Sequence, residues 1–172
     1  MDNLKPIIFL FPAIGLILNT TLYMYLIKKV PNKKILNEFV LVVIVLGFLL
    51  NFTWELIQMP LYSSASFKIN HVTFCALGSV ADAIMVLLIY LGLAFIFKNS
   101  FWMRPLKWQR IVVAILIGGV GAVLSEMRHL SLGNWVYSDL MPLLPMIKVG
   151  LSPVLQFMIL PILVYILSSK MI

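Results

Sequence analysis

The chain has 172 residues, of which 62% are hydrophobic and 11% are charged, and its mean hydropathy is +1.06. Soluble domains carry about a quarter charged residues and fewer than half apolar ones. The composition therefore predicts an integral membrane protein, and it excludes soluble enzymes and nucleic-acid-binding modules. Cys75 is the single cysteine, so an internal disulfide is excluded as well. No Cys/His cluster has metal-ligand spacing, and we expect neither a metal nor a cofactor.

Five segments have about the 20 mostly apolar residues that a membrane-spanning helix needs. They are residues 6–27, 38–58, 74–97, 109–128 and 149–167. The first lacks a basic leader and a small-residue cleavage site, so we interpret it as a retained anchor. The sequence predicts an all-α, polytopic bundle of five transmembrane helices that forms one domain over residues 1–172.

Lysine and arginine side chains concentrate in alternate connections of this predicted bundle. One side carries nine of them: Lys28, Lys29, Lys33, Lys34, Lys98, Arg104, Lys107, Arg110 and Lys170. The other side carries four: Lys5, Lys68, Arg128 and Lys148. Positive charge marks the cytoplasmic side, which predicts an outside N-terminus and a cytoplasmic C-terminus. The net charge of +7 is then a topology signal, and no nucleic-acid partner is expected. A bacterial inner membrane is the expected location for so compact a chain.

Several carboxyl and amide side chains fall in the outer third of the predicted bundle. The candidate catalytic acids are Glu55, Asp82 and Glu126, from three different segments. Asn51, Glu55 and Gln58 recur at helical spacing and share one face, and Ser152 and Gln156 lie one turn apart on the fifth segment. A carboxylate that faced lipid would cost about 2.5–3.5 kcal/mol. We therefore expect these side chains to turn inward around one polar cavity.

The outer connections add aromatic residues to this predicted site. Tyr62 follows the second segment, and residues 133–142 contain Trp135 and Tyr137. Such a loop could cover the cavity, whereas Trp135 alone would also suit an interfacial aromatic belt. The expected substrate-binding residues are Asn51, Trp54, Gln58, Tyr62, Trp135, Tyr137 and Gln156.

Two features have structural alternatives that the sequence leaves open. Glu126 could simply pair with Arg128 or His129 at the surface. The fourth segment has a face of small residues that lets another helix approach closely, either within the chain or in a homo-oligomer. That face consists of Gly118, Gly119, Gly121, Ala122 and Ser125.

A cluster of acids predicts a particular chemistry. Carboxyl groups that share a low-dielectric site do not all ionise, so a neutral acid remains that can donate a proton. Aromatic rings stabilise a developing cation. This combination favours the cyclisation or isomerisation of an isoprenoid or similar membrane lipid, which would enter from the bilayer.

The stretch Asn51-Phe52-Thr53-Trp54-Glu55 resembles the Asn-x-x-Trp-Glu motif of the small integral-membrane terpene cyclases of fungal meroterpenoid and indole-diterpene pathways. The resemblance implies that Glu55 is a catalytic acid that protonates an epoxide or alkene of a prenyl chain, with Asn51 as its orienting partner. The match covers five residues. Members of that family have seven spans, whereas five are predicted here.

Other functions are compatible with acids inside a membrane. A proton- or cation-coupled transporter would use them as an ion site, although the cytoplasmic halves of the spans are almost purely apolar, with Asn19 an exception. An intramembrane aspartyl-type hydrolase would need a second deep aspartate beside Asp82. A non-catalytic lipid-binding subunit is the remaining alternative.

Overall fold

A computed structural model describes residues 9–63 and 65–172, which form five α-helices. Helix α1 spans Leu10–Leu26, α2 spans Lys33–Gln58, α3 spans Ile69–Ile96, α4 spans Trp108–Ser131 and α5 spans Leu151–Met171. A 3-10 turn, Met59–Leu61, follows α2 directly. Within the described ranges β-structure is limited to two isolated bridges. The predicted all-α fold is confirmed.

Four of these helices, α2 to α5, are long and apolar enough to cross a membrane. Their length and composition indicate an integral membrane protein. Helix α1 is also apolar but has only 17 residues. Its predicted span began at residue 6, and residues 1–8 lie outside the described ranges. A fifth span therefore remains a prediction.

Helix α2 begins five residues before the predicted boundary because Asn32 caps it. The Asn32 side chain accepts hydrogen bonds from the backbone N–H groups of Lys34 (3.0 Å) and Ile35 (3.3 Å), which are two of the donors that a helix start leaves unsatisfied. The added residues include Lys33, Lys34 and Asn37, and Lys34 forms an ion pair of 3.8 Å with Glu38. Hydropathy marks where the apolar residues begin, whereas the cap determines where the helix begins.

The helices pack in a defined order around α2, α3 and α5. Helix α2 packs against both α3 and α5, α1 packs on α3, and α4 packs mainly on α5. Residues Leu36, Val43, Val86, Leu91 and Val164 are almost fully buried in the main core. Antiparallel neighbours bring the C-terminal ends of α2 and α4 to the same end of the bundle as the N-terminal ends of α3 and α5. We call this end the site end.

The small-residue face of α4 is the contact surface for α5. A methyl group added at Gly118 would overlap the backbone carbonyl of Phe157, whose carbon would lie 3.0 Å away. At Gly119 it would lie 3.1 Å from Cγ of Met158. The predicted close approach is confirmed, and the neighbour at these two glycines is a helix of the same chain rather than a second copy.

The end of the bundle opposite the site is closed by aromatic residues. Trp102, in the α3–α4 connection, is fully buried and donates from Nε1 to the carbonyl of Tyr90 (3.1 Å). The Tyr165 hydroxyl donates to the carbonyl of Val86 (2.6 Å). These hydrogen bonds hold α3, α5 and the connection together. The Tyr90 carbonyl and the Tyr165 hydroxyl therefore stabilise the packing of this end.

Candidate functional site

The side-chain amide of Gln156, in α5, lies at the centre of a polar cluster and is 1% exposed. Its Nε2 donates to Asn51 Oδ1 at 2.9 Å. The same nitrogen lies 3.3 Å from Glu55 Oε1 and 3.3 Å from Asp82 Oδ2. The structure thus brings together four of the predicted site residues, which come from α2, α3 and α5. We call Glu55 and Asp82 the acid pair.

A chain of hydrogen bonds connects this cluster to two further side chains. Gln58 Nε2 donates to Glu55 Oε1 (2.8 Å) and to Gln156 Oε1 (3.0 Å). Ser152 Oγ donates to Gln58 Oε1 (2.7 Å) and accepts from Trp54 Nε1 (3.3 Å). The spacing of Ser152 and Gln156 predicted that both side chains turn inward, although Ser152 was not among the expected substrate-binding residues.

The two groups at the ends of this chain of hydrogen bonds determine the direction of every hydrogen bond in it. The indole N–H of Trp54 can only donate, and the backbone carbonyl of Gly47 can only accept. At the Gly47 end, Asn51 Nδ2 donates to that carbonyl (2.7 Å). Each member between these ends accepts from one neighbour and donates to the next. As a result, the NH₂ groups of Gln58 and Gln156 both face the acid pair.

Each member of the acid pair keeps one oxygen free of hydrogen bonds. Glu55 Oε1 accepts from the two glutamines, and Asp82 Oδ2 accepts from Gln156. Glu55 Oε2 and Asp82 Oδ1 have no hydrogen-bond partner among the described residues, and both residues are half-buried. Three residues of the described ranges, Asn19, Arg128 and Ser168, have a fully buried polar side-chain atom without a partner. Glu55 and Asp82 are not among them, so their two free oxygens are not completely buried.

No cation neutralises the acid pair in the part of the chain that the structure describes. The only ion pair there joins Lys34 and Glu38, near the opposite end of α2. Two carboxylates that share one amide donor repel each other, and little water is present to screen them. This repulsion favours a state in which the pair holds at least one proton. Among the described residues no group of three or more His, Cys, Asp and Glu side chains could hold a metal ion.

Glu126 lies in a second cluster and makes no hydrogen bond to the acid pair. Its Oε2 accepts from Trp135 Nε1 (3.2 Å) and from the Tyr137 hydroxyl. That hydroxyl also accepts from the backbone N–H of Gly150 (3.0 Å), at the start of α5. A side chain at position 150 would collide with the Tyr137 ring, because an added methyl would lie 3.0 Å from its Cζ. Nothing in the sequence around Gly150 would have predicted this contact.

The alternative prediction that Glu126 pairs with Arg128 or His129 is wrong for the described structure. His129 instead stacks on the Trp135 ring, with centroids 4.3 Å apart. Arg128 lies over the ring of Phe11 in α1, 4.3 Å from its centroid. Successive residues of a helix point in different directions, and the loop after α4 supplies the donors that Glu126 needs.

The α4–α5 connection lies across the end of α2, and we call this connection together with Tyr62 the cover. The backbone N–H of Ser63 donates to the carbonyl of Val136 (2.8 Å), and Tyr62 pairs with Tyr137 in an isolated antiparallel bridge. The Tyr62 ring lies 5.6 Å from that of Tyr137 and 6.4 Å from that of Trp135. Trp135 is half-buried and hydrogen-bonded, so it belongs to this cover.

The two cover tyrosines keep their protons. Burial raises the pKa of the Tyr62 hydroxyl, and the charges of Glu126 and Glu55 raise it further. Burial also raises the pKa of Tyr137, as does its hydrogen bond to Glu126. Both hydroxyls are therefore neutral near pH 7, and their rings present negative π-faces beside the acids.

No family model, curated protein or solved structure matches the chain. The fold and the site define an integral membrane protein with a helical bundle and a carboxyl pair in its interior. The site is interpreted below from its own geometry.

Proposed function

We propose that the protein is an integral-membrane enzyme that acts by carboxylic-acid catalysis on an isoprenoid or similar lipid. The supporting observation is the acid pair: two carboxyl groups from different helices share one amide donor, and each keeps one oxygen that has no hydrogen-bond partner and is not completely buried. Acids inside membrane spans are costly and mark sites of chemistry or transport. Cyclisation or isomerisation of a prenyl chain is the reaction that we propose, as in a terpene cyclase.

The hydrogen-bond chain assigns the position of the acidic proton. Gln58 and Gln156 donate to Glu55 Oε1 and Asp82 Oδ2, and the carbonyl oxygen of a carboxylic acid is its better acceptor. The proton therefore sits on Glu55 Oε2 or Asp82 Oδ1. These are the two oxygens that have no hydrogen-bond partner and are not completely buried, so the proton can reach a substrate.

In the proposed reaction, one carboxyl of the pair transfers its proton to an alkene carbon or an epoxide oxygen of the substrate. The alkene π electrons form the new C–H bond, or the epoxide C–O bond breaks as the new O–H bond forms. The N–H groups of Gln58 and Gln156 stabilise the carboxylate that remains. A second double bond of the substrate then attacks the cationic carbon. Loss of a proton from a neighbouring carbon to the carboxylate restores the acid.

The aromatic cover would stabilise the cationic intermediate. Tyr62 lies between the two clusters, and its ring contacts those of Tyr137 and Trp135. Aromatic faces attract a nearby cation by about 0.5–2 kcal/mol each, most strongly where water is excluded. In this assignment Glu126 is a positioning residue, because it accepts hydrogen bonds from Trp135 and Tyr137.

We further propose that the site end faces away from the cytoplasm of a bacterial cell. The supporting feature is the distribution of lysine and arginine, since nine of the 13 belong to the opposite side of the bundle. A substrate would then enter from the outer leaflet of the inner membrane.

Incubation of the purified protein in nanodiscs with polyprenols and their terminal epoxides tests the enzyme proposal. The variants Glu55→Gln and Asp82→Asn remove one acid each, and Glu38→Gln is the control because Glu38 is exposed near the other end of α2. We expect product formation to fall at least 100-fold in one or both site variants and to be unchanged in the control. Where an alkene carbon is protonated, deuterium from D₂O should appear in a C–D bond of the product. Unchanged products in both site variants would refute acid catalysis by this pair.

A second candidate is a proton- or cation-coupled transporter, which Asn19 favours. Its Nδ2 donates to the carbonyl of Ile84 (2.8 Å), two residues beyond Asp82 toward the opposite end, and its Oδ1 is buried without a partner. This adds one polar position beyond the acid pair. Proton-coupled uptake into proteoliposomes that is lost in Asp82→Asn, without any conversion of the substrate, would favour transport over catalysis.

A further inference from the structure

We propose that Arg128 binds the phosphate headgroup of a membrane lipid whose chain lies in a crevice between α3 and α4. This binding site goes beyond the proposed catalysis and does not depend on it, because it requires only an anion and an apolar chain.

The first observation is the unbalanced charge of Arg128. Its Nη1 is fully buried and has no hydrogen-bond partner among the described residues, and no described carboxylate forms an ion pair with it. The nearest acid in sequence, Glu126, already accepts from Trp135 and Tyr137 through Oε2. The carbonyl end of α4 offsets part of the charge but supplies no hydrogen bond to Nη1. The other two guanidinium nitrogens, Nε and Nη2, also have no hydrogen-bond partner among the described residues and are not fully buried, so a phosphate can reach them and bind with two parallel hydrogen bonds.

The second observation is the open space along the same face of α4. Gly121, Ser125 and Arg128 recur at i, i+4 and i+7 and therefore lie on one side of the helix. A methyl group added at Gly121 would meet no atom within 4 Å. On α3, Gly78 lies one turn before Asp82, and a methyl group added there would also meet nothing within 4 Å.

The packing of α4 explains why this space exists. In its first half, Ala114 belongs to the main core of the bundle. In its second half, Ala122 belongs to a separate cluster with Val149 and Val154, on the α5 side. Helix α4 therefore leans on α5 at the site end and away from the main core, which leaves the open space beside Gly121 for the lipid chain.

The mouth of this crevice has the composition that a phosphate-headed lipid requires. Arg128 lies in the last turn of α4, and its guanidinium reaches the ring of Phe11 on α1. Helix α1 itself packs on α3 and not on α4, so this contact bridges two helices that are otherwise apart. Phe11 is 49% exposed and Leu124, on the outer side of α4, is 62% exposed. A cation beside apolar surface matches a phosphate attached to a hydrocarbon chain, whereas free phosphate would use the cation alone.

Native mass spectrometry of the purified protein with dioleoyl phosphatidic acid tests the proposal. Dioleoylglycerol carries the same chains without phosphate, and inorganic phosphate carries no chain. We expect phosphatidic acid to bind at least tenfold more tightly than either. Arg128→Gln should weaken its binding at least tenfold. Lys148→Gln, which removes an exposed cation at the same end of the bundle, should leave the binding unchanged.

A second variant tests the crevice rather than the charge. Gly121→Leu places a side chain in space that is empty in the structure, so the thermal stability should not fall, while the affinity for phosphatidic acid should fall at least tenfold. Unchanged binding in Arg128→Gln would overturn the proposal, and so would an equal loss in Lys148→Gln, which would indicate general charge attraction. Inorganic phosphate that binds as tightly as phosphatidic acid would overturn the lipid assignment, and unchanged binding in Gly121→Leu would overturn the crevice. Because no turnover is measured, these outcomes are distinct from those of the catalysis test.

Discussion

Replacing Gln156 with leucine removes the one side chain that contacts both acids, and we expect it to destabilise the protein. Leucine occupies a similar volume, so the change tests the hydrogen bonds rather than the packing. The amide donates to Asn51, Glu55 and Asp82, and it accepts from Gln58.

The expected magnitude follows from which partners are left buried. Asn51 is 1% exposed and Gln58 is 3% exposed, so Asn51 Oδ1 and one N–H of Gln58 lose their partners without access to water. Each such loss costs about 1–3 kcal/mol. Glu55 Oε1 keeps its hydrogen bond from Gln58, and the Asp82 carboxyl group is half-buried, so water can replace the amide there at little cost. We expect the free energy of unfolding to fall by about 2–5 kcal/mol.

Reversible unfolding in mixed micelles with increasing SDS, followed by tryptophan fluorescence, measures this change. Gln109→Leu is the matched control because Gln109 is exposed in the first turn of α4, and such a change is worth less than about 0.5 kcal/mol. Adding Asn51→Leu to Gln156→Leu removes both partners of one bond. The double variant should therefore be about 1–2 kcal/mol more stable than the sum of the single effects. A Gln156→Leu protein as stable as the Gln109→Leu control would refute the hydrogen-bond network.

The same SDS unfolding experiment checks two structural predictions. Gly118→Ala should lower the free energy of unfolding by about 2–4 kcal/mol because the methyl overlaps the Phe157 carbonyl, whereas Gly121→Ala, with open space around it, should raise it by about 0.5–1 kcal/mol. Asn32→Ala should cost about 1 kcal/mol through loss of the α2 cap, and Asn32→Ser should restore most of it. For the proposed enzyme, Ser152→Ala should slow turnover about tenfold, the effect of one hydrogen bond worth about 1.4 kcal/mol. Ser152→Thr should recover the rate, and a rate unchanged in Ser152→Ala would argue against the hydrogen-bond chain.

The elements of the fold were predictable to the extent that they depend on local sequence. Hydropathy located the four long helices, and the 3.6-residue period placed Asn51, Glu55 and Gln58 on one face, where the structure has them. The predicted starts of α2 and α3 were each five residues too late, because α2 begins at Lys33 and α3 at Ile69. Polar residues such as Lys33, Lys34 and His71 lower the hydropathy of these first turns, although the turns are helical.

The partners of Glu126 show the limit of this reasoning. Neighbouring Arg128 and His129 were reasonable candidates from sequence distance, yet Trp135 and Tyr137 contact the carboxylate. These residues belong to a loop whose path is set by pairing with the end of α2 and by Gly150 at the start of α5. Contacts of this kind depend on how separate segments meet in space, and no period in the sequence encodes them.

The amino-acid sequence by itself determined the membrane class and the convergence of polar side chains from several helices. The physical reason is that hydrocarbon offers no hydrogen bonds, so interior polar groups are stabilised when they turn toward one another. Only the tertiary structure decided which groups meet. A hydrogen bond tolerates a few tenths of an ångström, whereas one residue of register moves a side chain by 1.5 Å and rotates it by about 100°. The relative rotation and register of α2, α3 and α5 therefore placed one amide nitrogen between two acids, and left one oxygen of each not completely buried.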